Sequence, residues 1–411
     1  MKKTSLWFTF FCLFLWIPTT WAQGFHHRGG TLVIGRSADS VTLDPAKSSD
    51  TESSKVISNI FEGLVQYKDD SLEVEPALAN AWENYNDGRM WIFHLRKGVR
   101  FHDGSPFNAE AVVFSIARQI DPKHPFFNKD LNNGCFTFKY VKEVKALDEY
   151  VVLIILEKTY APFLHNLAMA NSAPIVSPEA VKKWGNNDFE RHPTGTGPFR
   201  FSEWMPNDRI VLTENREYWG GRPRLDKVIF RAIPNVKERF KEFQKKHIDV
   251  IDGLTAGQFE KLKKNSSCLL LSQASLNIGY LAMNVEKKPF DQLKVRQAIN
   301  HAVNKRKLIS LFYNNMAIRA VNPTPPVISG YSDNTGYAFN PRKARQMLKE
   351  AGYENGFETT LWVMKSARPY MPEPLKIAES LRRDLAAVGI KARLVSYEWK
   401  TYLNKLGNGE H

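Results

Sequence analysis

The sequence is poor in the groups that carry covalent chemistry. Three cysteines occur in 411 residues, too few and too scattered for a disulfide framework. Cys-x-x-Cys, His-Glu-x-x-His, Gly-x-x-x-x-Gly-Lys and Gly-x-Ser-x-Gly are all missing. Their absence removes the commonest zinc, nucleotide and serine-nucleophile signatures. The ten histidines show no metal-ligand spacing: His26 and His27 lie in a polar stretch near the start, and His102 sits in the turn Phe101-His102-Asp103-Gly104. Gly195-Thr196-Gly197 is not a phosphate cradle, because Pro198 removes a backbone donor and Phe199 opens a strand pattern, not a helix. No metal, cofactor or catalytic constellation is expected, and a secreted hydrolase is the weaker alternative.

Long apolar runs are also scarce. The run Leu6 to Ile17 is shorter than the roughly 20 residues that span a bilayer. It follows the basic head Met1-Lys2-Lys3 and precedes Thr20-Trp21-Ala22, the pattern of a secretory signal peptide cleaved after Ala22. Cys12 follows Phe10-Phe11 and belongs to the apolar core of that leader. The expectation is a soluble, exported, periplasmic chain with a signal peptide at 1–22 and a polar tether at 23–29. Cys135 and Cys268 then remain, open between one bridge and two free thiols.

What is present is a globular composition, 43% hydrophobic, in a chain too long for one small core, so two or more lobes are expected. The net charge of +14 includes Lys2 and Lys3. Its densest clusters, Lys241 to Lys246 and Lys261 to Lys264, alternate with Phe243, Phe259 and Leu262 as solvated helix faces do. Nucleic acid is not an expected partner.

Periodicity predicts a strand over Thr31 to Gly35, a helix from Glu52 to Val65, a strand over Met90 to Leu95, and a helix from Ala109 to Ile120 capped by Asn108. A hairpin pairs Val141–Leu147 with Tyr150–Leu156. Strands at Arg209 to Glu214, Lys227 to Ile233 and Ile248 to Ile251 alternate with helices at Val236 to Lys246 and Ala256 to Lys264. Later come a strand at Gly279 to Asn284, helices at Asp291 to Phe312 and Pro341 to Ala351, and a last helix ending near Gly407. The strands Phe357 to Met364 and Ile390 to Tyr397 flank a helix from Glu373 to Val388, forming a βαβ unit with a parallel sheet. The fold class is α/β.

Several segments resemble a known family. They are Leu78-Ala79-Asn80-Ala81-Trp82, the run Phe93 to Phe107, Gly195-Thr196-Gly197-Pro198-Phe199, Tyr218-Trp219-Gly220-Gly221, Val295 to Ile299 and Ala344 to Gly352. Together they are similar to the extracellular solute-binding proteins of peptide and nickel transporters. Leu361 to Met364, Arg368-Pro369-Tyr370 and Ser396-Tyr397-Glu398-Trp399 are most like the dipeptide-binding branch.

The resemblance implies a two-lobed periplasmic-binding-protein fold of type II, with lobe one at 30–60 and 192–274, an inserted subdomain at 61–191, and lobe two from 275 to 411. It implies a monomer that captures a dipeptide or short peptide and hands it to an ATP-driven inner-membrane permease. Haem, nickel or antimicrobial-peptide binding are the alternatives within the family. A peptide zwitterion needs a cation and an anion at opposite ends of a closed cleft, because burying either charge uncompensated is costly. Arg368 is the expected carboxylate fork, with Tyr370, Trp362 and Trp399 as candidate walls. Ser49, Asp50 and Thr51 match the first-lobe ligand loop. Asp50 departs from the small uncharged residue expected there, and either reads a substrate charge or caps the helix that starts at about Glu52, the cap being the favoured reading. The aspartate that binds the ammonium in this branch is expected beyond His411, so lobe two reads as incomplete.

Overall fold

The computed structural model describes residues 29–411, except 70, 128–133, 172, 266, 273, 274, 329, 334, 335 and 369. The expected leader, Cys12, His26 and His27 lie outside the described residues, as does the side chain of Cys135, while Cys268 carries a free thiol. Among the described residues no helix is long and apolar enough to cross a membrane.

The first lobe is built on a five-stranded sheet. Its order is Val250–Ile251, Thr31–Arg36, Lys227–Ala232, Arg209–Glu214, Phe199–Met205. The first three strands are mutually parallel, and the last two fold back as an antiparallel meander. The helix Thr51–Ile60 packs Val56, Ile57 and Ile60 with Phe230, Ile210 and Leu212 of that sheet. Each such apolar side chain removed from water contributes about 1.5–3 kcal/mol. The strand expected at Ile248 to Ile251 narrows to Val250–Ile251, with Ile248 buried beneath Gly35.

Residues 61–191 carry a separate core around an antiparallel sheet ordered Ala79–Tyr85, Met90–Leu95, Val151–Leu156, Val141–Asp148. In Met90–Leu95 every second residue is buried, so Trp91, Phe93 and Leu95 face the helix Ala109–Ile120; this is the period-two rule for a half-buried strand. Asn108 caps that helix by accepting from the amide of Ala111. The tail of this region behaves differently: Val176, Ala180, Val181 and Phe189 belong to the core of the five-stranded sheet.

The second lobe holds the expected βαβ unit. Phe357–Met364 and Ile390–Tyr397 pair in parallel from Phe357 opposite Ile390 to Met364 opposite Tyr397, linked by the helix Pro374–Ala386. The helices Leu293–Ala302 and Pro341–Glu350 complete its core.

Three expectations need correction here. The helix expected from Glu52 to Val65 stops at Ile60, where Phe61 turns to extended backbone, and Val65 opens the strand Val65–Tyr67. The helix expected over Asp291 to Phe312 is two helices, Leu293–Ala302 and Lys305–Phe312. The break falls at Asn304, whose side chain accepts from the amide of Lys307 and whose own amide donates to Asp384, so a new cap starts there. Gly279 to Asn284 is not a strand. Leu281 and Met283 do pack on the core as their alternation predicts, but among the described residues no neighbouring strand takes up their backbone groups, and a ladder needs a partner.

Candidate ligand site

Beyond Met364 the chain leaves the carboxyl end of a parallel strand, where ligand sites of open α/β sheets gather. It turns at once: the amide of Arg368 donates to the carbonyl of Met371 (3.0 Å) and that of Met371 back to Arg368 (2.9 Å). This closed pair of bonds fixes the start of the Arg368 side chain. Its guanidinium carbon lies 3.9 Å from the ring centroid of Trp399, a cation–π seat that also shields it from water. Among the described residues no carboxylate pairs with Arg368, and its buried Nε has no hydrogen-bond partner. A fork of donors held on an aromatic plate without an anion suits an incoming carboxylate.

Aromatic rings surround this seat. Trp399 opens the helix Trp399–Gly407 and stacks on Tyr402 at 5.9 Å and 14°. The carbonyl of Tyr370 accepts from the Tyr313 hydroxyl (2.8 Å). Burial pushes the phenols of Tyr370 and Tyr402 above their ordinary value, with the Arg368 charge opposing the rise at Tyr370. Tyr280, 76% exposed, acts electrostatically on both. Tyr280, Tyr313 and Tyr402 were not singled out from sequence; Tyr402, three residues past Trp399 on one helix face, carried the only local signal.

The structure therefore brings Arg368, Tyr370 and Trp399 together. It does not bring Trp362 to them: that ring packs on Tyr397 (5.0 Å) beneath Lys405 (5.9 Å). Pro369 lies outside the described residues.

Ser49, Asp50 and Thr51 stand off the carboxyl ends of the other parallel strands. Arg36, at the end of its strand, donates to the carbonyl of Glu52 (2.8 Å), and Lys55 pairs with Asp252 just past Val250–Ile251. Ser49 and Thr51 are exposed. Asp50 is the helix cap, accepting from the amide of Ser53 (2.8 Å) through one oxygen while the other is buried without a partner. Among the described residues no hydrogen bond, ion pair or ring contact joins Ser49–Thr51 to Arg368, Tyr370 or Trp399.

Three of the motifs that carry the sequence resemblance, those holding Arg96, Thr196 and Tyr218-Trp219, meet elsewhere, at a buried carboxylate. Glu62 accepts from the hydroxyls of Thr196 (2.7 Å) and Tyr218 (2.7 Å) and from the indole of Trp219 (2.9 Å). Burial pushes its carboxyl above the usual range, against the pull of those donors and of Arg96. Arg96 in turn lies 4.3 Å over Trp219. Gly195 and Gly197 are required here by close approach: a Cβ on either would lie 2.2 or 2.8 Å from the carbonyl oxygen of Ile60. These segments bind the inserted region to the first lobe.

His102 belongs to the same junction, with its Nε2 2.9 Å from the carbonyl of Gly197 and its amide donating to Gly195. Burial pulls its imidazole down to about 4. The folded state then refuses a proton that the unfolded chain accepts below about 6.5. Stability is therefore fully present above that pH and falls as pH drops from 6.5 towards 4. After discounting for partial exposure the loss is about 2 kcal/mol. Thermal unfolding followed between pH 7 and 4 should show His102→Gln with a flatter decline than the parent, and equal slopes would remove His102 as the cause.

Two cavities, of about 260 Å³ beside His102 and Trp184 and about 370 Å³ beside Phe114 and His124, lie away from Arg368. Among the described residues no group of three His, Cys, Asp or Glu is arranged for a metal ion.

Two α/β lobes, each presenting a loop off the carboxyl ends of parallel strands and one offering an unpaired guanidinium on an aromatic plate, define a ligand-binding protein of the two-lobed periplasmic class. Residues 73–411 match the family described as Bacterial extracellular solute-binding proteins, family 5 Middle. The chain belongs to this family. It is 37% identical over 370 residues to the Dipeptide-binding protein of Escherichia coli (strain K12), covering 86% of this chain and 69% of that protein. It is 38% identical over 369 residues to Heme-binding protein A of Haemophilus influenzae, covering 85% of this chain and 67% of that one. Among solved structures it matches the ABC transporter-associated periplasmic binding protein DppA from Helicobacter pylori in complex with the peptide STSA. That match has a TM-score of 0.82 and 36% identity, over 94% of this chain and 77% of the other.

Proposed function

We propose that this chain is the peptide-capturing component of an ABC importer, working in the periplasm as a monomer after loss of a leader at 1–22. The lobes at 30–60 with 192–274 and at 275–411 close on a short peptide by hinge motion, with 61–191 as the inserted subdomain, and deliver it to a membrane permease. Arg368 takes the peptide carboxylate, Trp399 and Tyr370 wall that end, and the backbone of Ser49, Asp50 and Thr51 runs beside the peptide as in strand addition. Trp362 supports this wall from behind through Tyr397.

The observation that carries the reading is the Arg368 guanidinium, seated 3.9 Å over Trp399 with no carboxylate partner among the described residues. The dipeptide-binding relative and the peptide-bound neighbour support it. The haem-binding relative supplies the competing outcome. Calorimetric titration with the dipeptide alanyl-leucine, beside an absorbance titration with haem, separates the two. Saturable heat with the dipeptide and an unchanged haem spectrum is the expected result; a shifted haem band without dipeptide heat would contradict it.

A further inference from the structure

The inserted region touches the first-lobe loop through a buried ion pair, a kind of contact that adds little net stability. Arg118 reaches from the helix Ala109–Ile120 to Asp44, with Nη2 2.6 Å from Oδ2 and both residues wholly buried. Buried ion pairs are weak sources of stability, since desolvation offsets their attraction. This one also leaves Nε and Nη1 of Arg118 buried without partners among the described residues, a further cost.

What the pair does supply is position. The other oxygen of Asp44 accepts from the amide of Ala46 (3.0 Å), and its carbonyl accepts from the amides of Lys47 and Ser48. Asp44 thus organises the turn that runs straight into Ser49–Thr51. A second clamp holds the same turn. Thr42 donates to Glu190 (2.9 Å) and Lys47 Nζ to the carbonyl of Asn186 (2.7 Å), while Asn186 and Phe189 also contact the Arg118 guanidinium. Arg118 comes from the helix packed in the inserted core, while Asn186, Phe189 and Glu190 lie in the stretch that returns from it to the first-lobe core.

We infer that the inserted subdomain is a buttress for the ligand loop, with Arg118 as a positioning residue that sets peptide affinity through Asp44 without touching the peptide. This rests on the proposed role of Ser49–Thr51. Wrongly placed backbone donors lose their share of a peptide's binding, so loosening the loop raises the ordering cost of every association.

The test is the double variant Arg118→Met with Asp44→Asn, which removes charge and cross-link while keeping an acceptor for the Ala46 amide. The proposal expects the variant to remain folded, to bind alanyl-leucine at least about tenfold more weakly, and to exchange the amides of Lys47, Ser48, Ser53 and Ser54 faster. Exchange within Phe357–Met364 should not change. Should the double variant fail to fold, Arg118→Lys, which keeps charge but loses the fork, is expected to give the same pattern at smaller amplitude. Ser49→Trp in the parent tests the loop itself. If Ser49→Trp abolishes binding while the Arg118 variants bind normally, the buttress is overturned. If Ser49→Trp leaves affinity unchanged, the ligand-loop assignment fails, and the buttress inference with it.

Discussion

Arg368→Ala is expected to weaken binding of a free dipeptide by about 2–5 kcal/mol, the range for leaving a buried charged partner unpaired. Among the described residues the guanidinium has no carboxylate to lose, and the contact its removal costs is that with Trp399 at 3.9 Å, worth about 0.5–1 kcal/mol at a partly exposed site. Thermal stability should therefore change little while affinity collapses. Arg368→Lys keeps the charge but not the planar fork or the stack, and should fall between the two. Calorimetry on the three proteins checks this, and an unchanged affinity in Arg368→Ala would remove the residue from the site.

Much of the fold is legible in the sequence because its signals are local. Met90–Leu95, Arg209–Glu214, Phe357–Met364 and Ile390–Tyr397 appear with the bounds their alternation predicts, and Asn108 caps the helix it was expected to cap. The failures are those of non-local information. Gly279 to Asn284 has a strand's alternation and packs like one, but strand identity also needs a hydrogen-bonding neighbour. Asn304 was absorbed into a long helical period, because an interior asparagine and a cap look alike until Asp384 is seen holding its amide.

The site shows the same division. Arg368 and Trp399 are 31 positions apart, and the parallel pairing of the strands that precede them, ending at Met364 and Tyr397, brings them together. Trp362 lies on one of those strands, but its ring meets Tyr397 edge-on, beneath Lys405. The family's most conspicuous words, around Gly197 and Trp219, serve the Glu62 junction and not the ligand. Recognising such words identifies the family; it does not by itself locate the binding residues.

Peptide capture through the carboxylate is tested most directly by titrating the unaltered protein with alanyl-leucine and with the same dipeptide amidated at its C-terminus. Amidation leaves size, apolar surface and ammonium intact and erases only the charge that the Arg368 fork is proposed to neutralise. It also turns one acceptor oxygen into an NH₂ donor facing a guanidinium that has only donors. The account predicts that the amide binds at least about a hundredfold more weakly, roughly 2.7 kcal/mol. Equal affinity for the two peptides would contradict it, and would show that the ligand is held by something other than a carboxylate on Arg368.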